Sequence, residues 1–155
     1  IGGFKMMHQG WLMLTVPPTS GLGSWASHKV VVKHPFHRVY PQGKPASITD
    51  FKIGRFALVD ELSKLFREAN VLYWAKALLG LVYDFIDHAI AATSDPPPFD
   101  IPRVWFVEAG LAFSYSQGSS KTTGMTRAAF LLEEVIGGED FTKFIHNMDP
   151  NPLLD

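Results

Sequence analysis

The sequence predicts an α+β fold in which a curled antiparallel β-sheet packs on one long α-helix. Three observations indicate it: two apolar, strand-like segments come first, a long stretch then repeats apolar residues at helical spacing, and two more strand-like segments follow. The chain has 155 residues, of which 46% are hydrophobic and 19% charged. This composition is typical of one globular domain, or one lobe of a larger domain, with a real core.

The first forty residues predict two antiparallel strands. Residues 2–16, GGFKMMHQGWLMLTV, are rich in bulky side chains and stop at two prolines. The valine run of HKVVVKHPF, residues 28–36, predicts a second strand. The turn-forming residues between these two segments favour a hairpin connection.

The strongest periodic signal predicts a helix between residues 58 and 90. Apolar residues recur there at steps of three and four, which places them on one helix face. These residues are Leu58, Leu62, Leu65, Ala69, Leu72, Leu79, Val82, Ile86 and Ile90. The proline-rich segment SDPPPFDIP ends the helix, because proline lacks the backbone N–H and disfavours helical geometry in the residue before it.

Two further strands are predicted after the helix, over RVWFVEAGLAFSYS (103–116) and RAAFLLEEVI (127–136). The loop between them, QGSSKTTGMT, is rich in glycine and hydroxyl residues and fits an exposed hairpin connection. The order strand, strand, helix, strand, strand completes the predicted architecture.

Composition also restricts the function classes. Without cysteine, disulfide scaffolds and thiolate zinc sites are excluded, which fits an intracellular, cytoplasmic protein. The net charge of −1 gives no reason to expect nucleic acid as a partner. The most apolar stretch is interrupted by Lys76 and Asp84, so we expect no membrane span and no membrane partner.

Lys33 is the first candidate for chemistry. It lies two residues after Val31 and therefore shares its face of the strand. If that face lines a cleft, the ammonium group can bind phosphate oxygens, provided that a carboxylate orients it, and Asp84 on the helix is the candidate. A solvated lysine at a strand end and an exposed aspartate are the alternatives that the residues alone leave open.

The other acidic and histidine pairs give weaker evidence for a functional site. Glu133 and Glu134 are adjacent on a strand and point to opposite faces, so they cannot act together on one bond. His34 and His37 are separated by a proline and have no evident third ligand, so we expect no metal site there.

The ordered set of segments resembles the N-terminal lobe of the alpha-kinases, the atypical serine/threonine protein kinases that include the myosin heavy-chain kinases and the channel-kinases. GGFK, with Gly3 and Phe4, is similar to the family's G-A-F-R/K strand over the nucleotide. VVVKHPF resembles its V-A-K-R-[FY] strand, which implies that Lys33 contacts ATP phosphate. AKALLGLVYDFID is similar to the helix pattern A-x-x-L-A-x-E-F-N, with Asp84 where the family usually has glutamate.

The end of the chain resembles the hinge of the same family. FLLEEVIGGEDFTKFIHN is similar to the pattern V-E-P-Y-I-E-G-E-F-V-K-Y-N-x-N. This resemblance implies that Glu133 and the backbone of Val135 contact adenine, and that Lys143 and Asn147 lie beside the nucleotide. This segment departs from the family pattern at two positions: Glu134 replaces the usual proline, and Ile145 replaces a usual asparagine.

The resemblance implies that residues 1–155 are the N-terminal lobe and hinge of an alpha-type kinase domain that uses ATP and Mg²⁺ and phosphorylates Ser or Thr of a protein substrate. The family's aspartate base, magnesium ligands, zinc site and glycine-rich substrate loop follow the hinge. We therefore expect them in a C-terminal lobe beyond Asp155, and expect the 155-residue chain alone to be inactive. The alternative is a degenerate, kinase-like module that binds a protein partner and does not catalyse.

Overall fold

The computed structural model describes residues 5–43, 51–117 and 124–138, and the backbone of 145–146 and 149–152. Its architecture is α+β, which confirms the predicted class. The elements, in chain order, are β1 (Lys5–Leu12), β2 (His28–Pro35), β3 (His37–Val39), β4 (Lys52–Gly54), α1 (Leu58–Ala92), β5 (Ala109–Tyr115), β6 (Thr126–Glu134), β7 (Ile145–His146) and β8 (Asp149–Pro152).

Four strands form one antiparallel sheet in the order β1-β2-β6-β5. The predicted hairpin of β1 and β2 is present, with Met7 opposite Lys33. The last two predicted strands also pair, and β6 lies in the centre of the sheet against β2, with Val31 opposite Glu133. The long connection through α1 therefore brings the C-terminal strand beside the valine strand.

The helix packs on one face of this sheet. Its Leu65 forms the core with Ala129 and Leu131 of β6, and all three side chains are at most 1% exposed. Half-buried apolar residues surround them, namely Leu62, Ala69, Leu72, Ala109, Leu111 and Phe113. The spacing of the apolar residues predicts one buried helix face. The first half of this face is buried against the sheet.

A buried carboxylate fixes the start of α1. Glu61 is 1% exposed and accepts two hydrogen bonds from Arg55, at 2.8 and 2.9 Å. Its Oε1 atom also accepts the backbone N–H of Ala129, at 3.2 Å. Charge-assisted hydrogen bonds of this kind compensate for the desolvation of a buried carboxylate.

The opposite face of the sheet is covered in part by the β1–β2 connection. Leu22 lies close enough that a Cβ atom at Gly110 would be 3.5 Å from it. Gly23 has φ of +85°, and a Cβ atom there would lie 2.7 Å from Leu14, so the turn requires glycine at this position. The N–H of Gly23 donates to Nδ1 of His28, which ties the turn to the start of β2.

The sequence misplaced the start of one strand and missed four short strands. Residues 103–108 were expected in a strand, but β5 begins only at Ala109. The preceding segment runs along α1 instead, where the Tyr83 hydroxyl donates to the C=O of Val104 at 3.1 Å and accepts its N–H at 2.7 Å. The short strand pairs β3–β4 and β7–β8 were not predicted. Within the described part of the chain, no helix combines the length and the apolarity that a membrane crossing needs.

Candidate functional site

Lys33 lies in β2 at the interior of the sheet and forms an ion pair with Glu133 of β6. The side chains of Lys33 and Glu133 are 20% and 13% exposed, so the pair is mostly withdrawn from water. Lys33 is therefore not the solvated strand end that the sequence left open. The two residues meet because the β2–β6 register places Glu133 opposite Val31, one pleat away from Lys33 on the same face.

The face that carries this ion pair is the face on which α1 packs. Directly paired residues of neighbouring strands point to the same side, so Met7, Lys33 and Leu131 share one face. Leu131 is part of the core under Leu65 of the helix. The lysine thus lies beside the helix–sheet core, on the inner side of the sheet.

A second ion pair lies next to the first. Lys5 of β1 pairs with Glu68 of α1, with side chains that are 32% and 25% exposed. Burial lowers the pKa of the Lys5 ammonium group, and repulsion from Lys33 lowers it further, while attraction to Glu133 partly opposes both. We call these four residues, Lys5, Lys33, Glu68 and Glu133, the lysine cluster.

The lysine cluster holds two ammonium groups and two carboxylates within one partly buried region. An ammonium group has three N–H donors, and a lysine that gives one of them to a carboxylate keeps others for a phosphate oxygen. Without a ligand, the same contacts join β1, β2, β6 and α1 as ordinary ion pairs. The geometry therefore suits a phosphate-binding lysine with an orienting carboxylate, although that carboxylate comes from the sheet.

Asp84 is not brought to Lys33. The part of α1 that reaches the sheet near Lys33 is the turn around Leu65 and Glu68. Asp84 lies about 28 Å beyond Leu65 along the helix axis, at 1.5 Å per residue, and is exposed. The predicted orienting contact of Asp84 is thus made by Glu133 instead.

Val135, one of the predicted hinge residues, lines a cleft at the end of the sheet. This cleft has a volume of about 640 Å³, and its lining includes Trp11, Lys29, Glu108, Glu134 and Val135. The backbone N–H of Val135 donates to the C=O of Lys29 at 3.3 Å and extends the β2–β6 pairing. A carboxylate oxygen of Glu134 accepts the N–H of Glu108 at 3.0 Å, which fixes the wall of the cleft.

The cleft and the lysine cluster lie at different points of β2. Lys29 and Lys33 are four residues apart, which is about 13 Å in a strand. Glu133, expected near adenine, belongs to the lysine cluster, whereas Glu134 and Val135 line the cleft. Four further predicted residues, Gly3, Phe4, Lys143 and Asn147, lie outside the residues whose structure is described.

Sequence reasoning missed Lys5, Glu68 and Glu61. Lys5 stands in the quoted GGFK segment, and its alternation with Met7 would have placed it on the face of Lys33 once the register was known. Glu68 lies three residues after Leu65, on the sheet-facing side of the helix. No sequence pattern distinguishes the buried Glu61 from an ordinary first-turn acid.

His34 and His37, the pair considered in the sequence, pack against other aromatic rings. His34 stacks on His8 with ring centroids 5.9 Å apart, and His37 packs on Phe56 at 5.0 Å. Across the described ranges, the structure contains no group of three histidine, aspartate or glutamate side chains arranged to bind a metal ion.

Comparison with known proteins finds no matching family model, no similar curated protein and no similar solved structure.

Proposed function

We propose that this chain is the ATP-binding portion of an alpha-type serine/threonine protein kinase, whose complete form transfers the γ-phosphoryl group of ATP to Ser or Thr of a protein. Its fold would then be that of a kinase-like N-terminal lobe with its hinge. The observation that carries the proposal is the Lys33–Glu133 ion pair, which is partly buried on the helix side of the sheet. The motif resemblance had placed an ATP-contacting lysine at this same position.

In this proposal Lys33 donates to the α- and β-phosphate oxygens, and Glu133 orients the ammonium group. Phosphoryl transfer depends mainly on positioning and on charge stabilisation, so a lysine held by a carboxylate is a suitable element of such a site. Lys5 adds a second positive charge within the cluster, which would favour a polyanionic ligand. Magnesium ligands and the base that accepts the hydroxyl proton would come from a C-terminal lobe.

The nucleotide base would occupy the cleft beside Val135. Glu134 and Val135 line this cleft, and Trp11 offers an indole face to a planar base. The distance of about 13 Å along β2 between Lys29 and Lys33 is one that a mononucleotide can bridge. Glu133 would not contact adenine in this proposal, because its carboxylate is paired with Lys33.

The experiment is a calorimetric titration of the 155-residue chain with Mg-ATP. Loss of a hydrogen bond to a charged group costs about 1.5–3 kcal/mol, so Lys33→Met should raise Kd roughly 10- to 100-fold. Lys52→Met is the matched control, because Lys52 is an exposed strand lysine in β4, outside the lysine cluster. Phosphoryl transfer itself is measured on the full-length gene product. Equal Kd values for wild type and Lys33→Met would refute the proposal. So would a failure to bind ATP by both the 155-residue chain and the full-length gene product.

A second candidate function is a kinase-like module that binds a protein partner without catalysis. The specific observation in its favour is the number of large apolar side chains exposed on the outer side of α1, among them Trp74 and Phe85. Normal protein binding by a full-length product that neither binds nor hydrolyses ATP would favour this second function.

A further inference from the structure

The helix α1 has two apolar faces on opposite sides. One face packs on the sheet through Leu65, Ala69 and Leu72. The other consists of five large side chains that we call the outer seam: Val71, Trp74, Leu78, Leu81 and Phe85. These residues are between 58% and 74% exposed. At 3.6 residues per turn the outer seam lies about 180° around the helix from the sheet-facing stripe.

A helix with apolar residues on both sides is typical of an element that is covered on both sides. In the described part of the molecule, the sheet covers only the inner face of α1. The exposed seam extends over about 21 Å of helix axis, at 1.5 Å per residue. Such a contiguous apolar surface on a folded protein marks a contact with another molecule.

The spacing of the outer seam identifies the kind of surface that fits it. Its residues follow one another at steps of three, four, three and four, which is the a/d pattern of a heptad repeat. A period of 3.5 residues keeps a seam facing one partner helix over several turns. The complementary surface is therefore a second α-helix lying nearly parallel to the axis of α1.

The residues that flank the seam allow such a helix to approach closely. Ala75, Ala77, Val82 and Ala89 occupy flanking positions and are small or neutral, and Asp84 brings one charge between them. Flanking positions in coiled coils usually carry charges that select a partner of opposite charge. Here the nearly neutral flanks suit a partner whose own flanks are also neutral.

We propose that the outer seam is a homodimer interface, in which α1 packs antiparallel against α1 of a second copy of the chain. Four of the five seam residues are nearly symmetric in size about the midpoint between Leu78 and Leu81, with Trp74 and Phe85 outside them, and Val71 lies opposite His88 of the second copy. An antiparallel two-fold axis therefore places Leu78 against Leu81 of the second copy and Trp74 against Phe85 of the second copy. This arrangement buries aromatic rings against each other at both ends.

Charge and shape agree with this register. Asp84 faces Ala77 of the second copy, so no like charges meet across the flanks. A groove of about 690 Å³ lies at one end of the seam, lined mainly by apolar atoms of residues that include Val71, Trp74 and Leu78. Phe85 of the second copy would enter this groove when it packs on Trp74.

The contact is modest in size. Aromatic residues bury about 150–250 Å² each, so the exposed parts of Trp74 and Phe85 contribute roughly 300 Å² per chain. The whole seam then lies near the lower end of the interfaces that hold specific dimers. We therefore expect a reversible equilibrium between one and two chains. The dimer does not depend on the proposed nucleotide binding.

Sedimentation equilibrium over a range of protein concentrations tests the dimer. We expect the mass of one chain at the lowest concentrations and of two chains at the highest. Leu78→Glu should raise the dissociation constant at least tenfold, since it places two buried charges at the centre of the interface. Val59→Glu is the matched control, because Val59 is 77% exposed on the same helix but lies outside the seam. A monomer at every concentration, or an unchanged dimer in Leu78→Glu, would overturn the proposal.

Cysteine cross-linking tests the register independently of any folding defect in Leu78→Glu. The chain has no cysteine, so introduced thiols have no competitor. An oxidised mixture of Leu78→Cys and Leu81→Cys chains should give mainly the mixed disulfide. Cross-linking that is faster for Leu78→Cys alone than for the mixture would indicate a parallel pair and contradict the antiparallel proposal.

Discussion

The two halves of α1 differ in what they contact, although apolar residues recur at the same helical spacing in both. The first half, to about Leu72, packs on the sheet and carries Glu61 and Glu68 into contacts with other elements. The second half projects beyond the sheet and is held by the extended segment before β5, through Tyr83 and Asp87. Periodicity therefore identifies a helix but does not tell which of its turns reach the site.

The largest difference between the halves is expected in their contribution to stability. Leu65→Ala removes a buried side chain from the core and should lower the free energy of unfolding by about 2–5 kcal/mol. Leu81→Ala, at an exposed position of the second half, should change it by less than about 0.5 kcal/mol. Urea unfolding is measured at a protein concentration low enough to keep the chain monomeric. Similar losses for both variants would contradict the division.

The ion pair in the first half of α1 should also contribute more to the free energy of unfolding than the ion pair in the second half. Glu61→Gln removes the charge from a buried carboxylate that binds Arg55 and Ala129, and should cost about 1.5–3 kcal/mol. Asp87→Asn removes a carboxylate whose pair with Arg103 is exposed, and should cost less than about 1 kcal/mol. The same unfolding experiment compares them, and a larger loss for Asp87→Asn would contradict this ranking.

The lysine cluster, which includes Glu68 of the first half of α1, makes the stability of the protein depend on pH. The pKa of Lys5 lies below its ordinary value of 10.5, mainly because the side chain is buried and also because Lys33 repels it. Between that lowered pKa and 10.5 the unfolded chain binds more protons at Lys5, so this group makes stability rise with pH in that window.

Lys33→Gln removes the repulsion and should raise the pKa of Lys5, whereas Glu133→Gln removes an attraction and should lower it. Glu68 remains paired with Lys5 in both variants. NMR titration of the lysine side chains measures these shifts. A Lys5 pKa that is the same in wild type and Lys33→Gln would show that the two ammonium groups do not interact.

The smallest effect is expected from Asp84, the residue that the helix pattern favoured. Because it lies in the second half, about 28 Å along the axis from Leu65, Asp84→Asn should change Kd for Mg-ATP by less than about twofold. The titration that compares Lys33→Met with Lys52→Met includes this variant. A tenfold weakening by Asp84→Asn would mean that Asp84 reaches the ligand in a way that this structure does not show.

The sequence was sufficient to predict the fold class, the long helix and the β1–β2 hairpin. These follow from local periodicity and from chain order. The partner of Lys33 could not be predicted, because it depends on the β2–β6 register, and that register is set by residues a hundred positions apart in the chain. The path of residues 103–108 along α1 was missed for a related reason, since an apolar segment can pack on a helix as well as pair in a sheet.

Labelling with an acyl phosphate of ATP tests whether Lys33 faces the phosphates of a bound nucleotide. The reagent transfers its acyl group to a lysine amine that lies against the phosphates and releases ATP, and mass spectrometry identifies the acylated residue. We expect acylation of Lys33, suppressed by an excess of ATP, with Lys52 labelled slowly and without ATP protection. Equal labelling of Lys33 and Lys52, unaffected by ATP, would contradict the assignment of the lysine cluster as a nucleotide site.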